Sequence, residues 1–172
     1  MWLKLSVFLV GIFLAGTAAP GGAKAQEAVV GARNPDALFT SPDPVLNRNK
    51  QAAYHIVKDL LEADHWDEAD RWMTAEYHQH NPLVPSGRDH VVDFFSKVLK
   101  RAPKPVPQTM ATPVVAVLAE GDLVTVVFPR TLKDPKDPSK TYTTTWFDMW
   151  RFKDGKADEH WDPASKDLPP GP

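Results

Sequence analysis

The chain contains no cysteine, so disulfide bridges and thiolate chemistry are excluded. Clustered basic residues are missing too. Lys and Arg number 20 against 22 Asp and Glu, the formal net charge is -2, and no run gathers the cations that a phosphate backbone requires, which sets nucleic acid aside as a partner. There is no glycine-rich phosphate loop, no serine nucleophile elbow and no internal repeat. Long apolar runs are scarce. The clearest, residues 5–14, follows Lys4 and leads into small residues ending in Ala23-Lys24-Ala25, the order of a cleavable export signal. At roughly ten residues it falls short of the ~20 that span a bilayer. Cleavage after Ala25 is expected, giving a periplasmic or secreted protein with no membrane association. The mature chain is then more acidic by two charges, because Lys4 and Lys24 leave with the signal.

What remains is enough for one domain with a single core. Residues 26–45 mix Ala, Gly, Asn, Asp and Pro without apolar periodicity and read as a flexible linker; residues 46–165 form the folded domain, and 166–172 a Pro-rich tail. Ala53, Ile56, Val57, Leu60 and Leu61 recur at three- and four-residue steps, which predicts a helix over residues 47–63. A second, shorter helix is expected over 67–74, burying Trp72 and Met73. Ser86-Gly87-Arg88-Asp89 has the pattern of a capping box and predicts a third helix carrying Val91, Phe94, Phe95, Val98 and Leu99 inward. Pro103, Pro105 and Pro107 end it. Strands are expected over 113–118, 123–128, 141–152 and 156–162, with turns at Gly121-Asp122 and Lys153-Asp154-Gly155. Three helices followed by four strands make an α+β order, with helices covering one face of an antiparallel sheet.

The chemistry concentrates in FDMWRFKDGKADEHWD, residues 147–162, where acids and a histidine lie among tryptophans across one hairpin. Alternation along the strand puts Tyr142, Trp146, Asp148, Trp150 and Phe152 on one side. A three-residue turn closed by Gly155 would pair Asp148 with His160 and Trp146 with Asp162, so that two acids and an imidazole line one face. A two-residue turn would place Trp161 beside Asp148 instead. Asp148, His160 and Asp162 are therefore the candidate catalytic residues, since carboxyl groups and imidazole tuned by burial can take and return protons. The structural alternative is a buried ion pair that holds the sheet in register. The opposite face keeps Phe147, Met149 and Trp161, apolar enough for a dimer contact. In YHQHNP, residues 77–82, His78-x-His80 has a spacing found in metal sites, but a third ligand would have to come from His160, and no metal is expected. His78 is read as exposed. His80 and Asn81, ahead of the rigid Pro82, are expected to turn into the mouth of the pocket, joined there by Trp72, Trp146 and Trp150 as substrate contacts.

Taken together, YHQHNP, the glycine of PSGRD, AEGDLV, and FDMWRF with DGK and EHWD resemble the SnoaL-like group of the nuclear transport factor 2 (NTF2-like) superfamily, over residues 51–162. The resemblance implies an NTF2-like cone: three N-terminal helices packed on a curved antiparallel β-sheet around an interior pocket, usually as a homodimer through the sheet. Polyketide cyclases of this group close a ring by an intramolecular aldol reaction, with an aspartate as acid/base and no cofactor or metal. On that likeness the cyclase aspartate falls on Asp162. Asp148 falls where the similar ketosteroid isomerases keep a protonated acid that serves a developing oxyanion. Asn81 stands in place of the isomerase base and Val57 in place of its tyrosine, so steroid isomerisation is not implied. Val127 and Pro163-Ala164-Ser165 stand where close relatives often carry a histidine and a glutamine. The implied function is binding of a small hydrophobic carbonyl compound, with cyclisation or isomerisation by cofactor-free acid/base chemistry. The alternative is binding of a hydrophobic ligand without turnover.

Overall fold

The computed structural model describes residues 26–167; the expected export signal and most of the Pro-rich tail lie outside them. The first helix, α1, runs over Pro44–His55 and continues without a break as wider turns over Ile56–Glu62. Asp43 starts it, its Oδ1 accepting the N–H groups of Val45 and Leu46 at 2.9 Å, with Pro44 in the first helical position. Asn49, Ala52, Ala53, Ile56, Val57 and Leu60 are its buried stripe. Part of the expected linker is tied into the fold. Phe39 is wholly buried, and the N–H groups of Val29 and Ala32 bond Thr143 Oγ1 and the Val114 carbonyl at 2.8 and 2.7 Å.

A helical turn and the short helix α2, Ala69–Trp72, lead into a strand, β1, at Met73–Gln79. The helix expected over 67–74 thus ends early, and the sheet has a fifth strand. The reason is tertiary. β1 pairs in parallel with β5, Lys156–Trp161, and the Thr74 hydroxyl donates to Asp158 Oδ1 at 2.7 Å, so the pairing overrides a locally helix-compatible stretch. The third helix, α3, covers Arg88–Asp93 and continues over Phe94–Val98. Its expected capping box does not form. The helix starts from Gly87 at φ 101, and the Ser86 hydroxyl instead accepts the Gln79 N–H at 3.0 Å. Val91 is buried and Phe94 and Phe95 half-buried, whereas Val98, expected inward, is 68 % exposed.

The remaining strands are β2 (Ala116–Glu120), β3 (Leu123–Lys133) and β4 (Thr141–Lys153). The sheet order is β1-β5-β4-β3-β2, antiparallel except at β1–β5. The architecture is α+β, three helices on one face of a curved, unclosed five-stranded sheet. Val124, Val126, Phe128, Trp146, Trp150 and Phe152 face the helices. Among the described residues no helix is long and apolar enough to cross a membrane.

The hairpin that decides the site differs from the expectation in an instructive way. Lys153 pairs with Lys156, so the turn has two residues, Asp154 and Gly155, both at positive φ (53 and 82) as a type I′ turn demands. Arg151 then pairs with Glu159 while Phe152 pairs with Ala157, which leaves Asp158 as a bulge. Beyond the bulge Trp150 faces His160, not Asp148 as expected. The turn supplies an even count and the bulge the odd residue, so His160 returns to the face of Asp148 and Trp161 goes to the other.

Candidate functional site

Between helices and sheet lies a cavity of about 160 Å³. Val57, Trp66, Val91, Phe94, Phe95 and Phe128 give it apolar walls, and Tyr77, Gln79, Asn81, Asp148, His160 and Asp162 give it one polar end. Asp148 and His160 are buried, at 8 % and 7 % exposure. Trp146 Nε1–H donates to Asp148 Oδ1 at 2.8 Å, and His160 Nε2 lies 3.4 Å from the same oxygen. On the ring's other side Nδ1 is 2.8 Å from Gln79 Oε1, which also accepts the Asn81 N–H at 3.0 Å. That second donor fixes Oε1 as an oxygen, so His160 Nδ1 carries a proton and gives it to Gln79. Nε2 therefore turns toward Asp148 with room for one more proton. On the carboxyl, that proton makes Asp148 a neutral donor; on the ring, it makes an imidazolium beside a carboxylate.

Asp162 lies just past the end of β5, ahead of Pro163. Asn81 Nδ2–H donates to its Oδ2 at 2.7 Å and the Ala164 N–H to its Oδ1 at 2.8 Å. The Asn81 amide cannot turn over, because its Oδ1 accepts the Leu83 N–H at 2.9 Å. The carboxylate is thus oriented while each oxygen keeps a lone pair. Tyr77 is 4 % exposed, and its hydroxyl oxygen accepts the Trp150 Nε1–H at 3.0 Å. Burial, with the negative charge of Asp148 and Asp162 adding to it, pushes this phenol far above the ordinary tyrosine range, against a smaller opposing pull from Trp150. It stays protonated, and its O–H has no hydrogen-bond acceptor among the described residues.

The ligand atoms of Asp148, His160 and Asp162 all lie within 4.8 Å of one another, so this group could hold a cation as well as a shared proton. The His78-x-His80 pair does not converge with them. His78 is exposed, and His80 Nε2 is 2.8 Å from Glu159 Oε1, its ring stacked on Trp161 at 5.2 Å on the outer face.

Of the expected contacts, Asn81, Trp146 and Trp150 line the cavity and His80 and Trp72 do not. Alternation along β1 turns Tyr77 and Gln79 inward and His80 outward, and Asn81 re-enters only because its side chain closes a turn onto Leu83. Trp72 lies flat on His55 at 4.1 Å between the rings, under the Arg71 guanidinium, and Trp66 holds the wall position instead. Sequence reasoning missed Tyr77 and Gln79. A period of two over YHQHNP, taken as a strand, would have found both.

Outside the cavity, Glu159 also receives Arg151 Nε–H at 3.0 Å. The bond from His80 first, then that from Arg151, holds its carboxyl below the ordinary value of 4.5. A depressed carboxylate contributes stability above its unfolded pKa and loses it as pH falls through the folded value. Wild type should therefore melt above Glu159→Gln at neutral pH, with the gap closing in acid below the folded value. A gap that stays constant through the titration would mean packing and not charge.

The SnoaL-like domain family matches residues 51–160, more than half of the chain. No curated protein matches. Among solved structures, one described as a candidate SnoaL-like polyketide cyclase from Jannaschia sp. CCS1 shares the fold at 18 % identity and a TM-score of 0.50, over 72 % of this chain and 91 % of that one. An NTF2-like protein of unknown function from Burkholderia pseudomallei K96243 aligns over 69 % and 91 %, at 15 % identity and a TM-score of 0.49. A candidate polyketide cyclase from Bacillus cereus ATCC 10987 aligns over 79 % and 90 %, at 18 % identity and 0.47.

Proposed function

Because the chain belongs to the SnoaL-like domain family, we propose that it is an exported pocket protein that binds a small hydrophobic carbonyl compound and moves protons on it with its own side chains. The observation that carries this reading is the convergence of Asp148, His160, Asp162 and Tyr77 at one polar end of a cavity with mainly apolar walls. The substrate carbonyl oxygen accepts from the Tyr77 O–H and from the proton shared by Asp148 and His160. Both donors strengthen their hold as the oxygen gains charge. Asp162, oriented by Asn81 and the Ala164 N–H, takes a proton from the carbon next to the carbonyl. The enolate then attacks a second carbonyl of the same molecule in an aldol closure, the new alkoxide taking the proton that Asp162 holds, or Asp162 returns that proton to another carbon of a conjugated enolate in an isomerisation; either way Asp162 ends as the carboxylate it began as. Export by the N-terminal segment, and pairing of two copies through the outer face around Phe147, Met149 and Trp161, complete the proposal.

One observation favours a second reading, ligand binding without turnover: both oxygens of Asp162 already accept a hydrogen bond. A single experiment separates the two. Benzylacetone, a neutral aryl ketone, is incubated with the protein in D₂O and its α-hydrogens followed by proton NMR. Acid/base function predicts protein-dependent loss of those signals. A bound ligand with no exchange leaves the binding reading and removes the catalytic one.

A further inference from the structure

The cavity has a second polar feature that the proton chemistry does not use. Of the described residues that line it, Arg101 alone is a lysine or arginine. Its side chain is 38 % exposed, against 9 % and 11 % for His160 and Asp148, so it stands at the mouth while that pair stands deep and Asp162 is half-buried beside it. The guanidinium is weakly committed. Nη1 lies 3.4 Å from the Leu61 carbonyl and 3.5 Å from Asp64 Oδ1, both at the outer limit of a hydrogen bond, and Cζ sits 5.4 Å from the Phe95 ring centroid. Asp64 is almost wholly buried; Lys104 Nζ holds its Oδ2 at 2.7 Å, while its Oδ1 accepts no hydrogen bond among the described residues and has only this loose contact with Arg101. Arg101 shares none of these partners with Asp148, His160 or Asp162. The wall beside it is flat and aromatic: Phe95 stacks on Trp66 at 4.0 Å and meets Phe94 edge-on.

The cavity is thus polarised along its length, with an acid pair at the deep end, aromatic sides, and a cation with unused donors at the mouth. Resting on the reading of this cavity as a carbonyl-compound site, we propose that Arg101 selects ligands with an anionic group, a carboxylate above all, at the end remote from the reacting carbonyl. An anion entering first would meet Asp148 and Asp162 and be repelled; entering last, it meets a planar fork of N–H donors that fits a carboxylate two-pronged. The same arrangement fixes which end goes in, so the carbonyl and not the acid reaches Tyr77. The substrate class is a hydrophobic, aromatic-sized keto acid.

The test uses two probes that differ only at the remote end, the para-carboxylate of benzylacetone and the corresponding para-carboxamide, titrated into the intact protein by calorimetry near neutral pH. Wild type is expected to bind the acid about tenfold more tightly than the amide, the scale of a charge-assisted bond at a partly exposed site. Arg101→Gln should collapse that ratio to near one while leaving amide affinity in place. Lys104→Gln removes a neighbouring cation that does not line the cavity, and should keep the ratio. An unchanged ratio in Arg101→Gln, an equal loss in Lys104→Gln, or equal binding of both probes by wild type overturns the selection by Arg101 while the pocket reading stands. Failure of both probes to bind overturns the pocket reading and this inference with it.

Discussion

Asparagine in place of Asp162 is expected to slow α-hydrogen exchange of a bound ketone by about a thousandfold, the usual loss when a positioned base is removed. The amide has nearly the same shape but no basic lone pair, so it cannot take the proton. Its effect on the fold should be small. Asp162 is met by two N–H donors, from Asn81 and Ala164, and asparagine offers only one oxygen to them. One donor is left facing an NH₂ group, at a cost of about 1–2 kcal/mol. A melting curve and a benzylacetone titration on the same sample separate that cost from the catalytic loss. Asp148→Asn supplies the contrast, because an amide can still donate to the carbonyl oxygen, and its loss should be well below that of Asp162→Asn. The reverse order would assign the base to Asp148, and equal full activity in both would remove proton transfer from the proposal altogether.

The contrast between Asp148 and Asp162 also shows how far the sequence could be read. The α1 stripe and the rows of β3 and β4 follow local periodicity, and each was legible because one face of a helix or strand must be buried whatever its partner. The site needed one step more, the register of β4 on β5, and there local signals are not enough. Asp154-Gly155 carries the two-residue turn it locally prefers, which by itself would have sent His160 outward. The Asp158 bulge reverses that, and its side chain is tied to Thr74, on a strand whose sequence looks helical until β5 lies beside it. The expected facing of Asp148, His160 and Asp162 therefore stands on a different physical cause than the one the turn suggested. His80 stays out of the cavity for a related reason, because β1 is a strand whose alternation sends it outward, while Trp72, at the end of α2, stacks on His55. With the β1 alternation in hand, Tyr77 and Gln79 take the inner positions, and they are the residues that set the proton inventory of the deep end.

That inventory rests on Trp150, and truncating it should have the largest effect on the fold. Trp150 is 2 % exposed, pairs with His160 across the hairpin, lies against the imidazole at 5.2 Å between ring centroids, and donates its indole N–H to Tyr77. Trp150→Ala removes a large buried side chain from between cavity and core, a change that costs about 4 kcal/mol and, in a domain of this size, about 15 °C in melting temperature. Trp150→Phe divides that sum. Phenylalanine restores most of the apolar volume but not the N–H, leaving the Tyr77 oxygen without its buried donor, at about 1–3 kcal/mol. If packing dominates, the phenylalanine variant recovers most of the stability lost by alanine, and Tyr77→Phe added to it brings little further change, since the hydroxyl no longer has a partner to lose. If the hydrogen bond dominates, Trp150→Phe is nearly as damaging as Trp150→Ala, and Tyr77→Phe in that background restores stability by removing the stranded oxygen. The thermal and denaturant midpoints of wild type and the three variants decide it, and only the second result would make the indole–phenol bond, more than the aromatic wall, the element that holds the deep end of the cavity together.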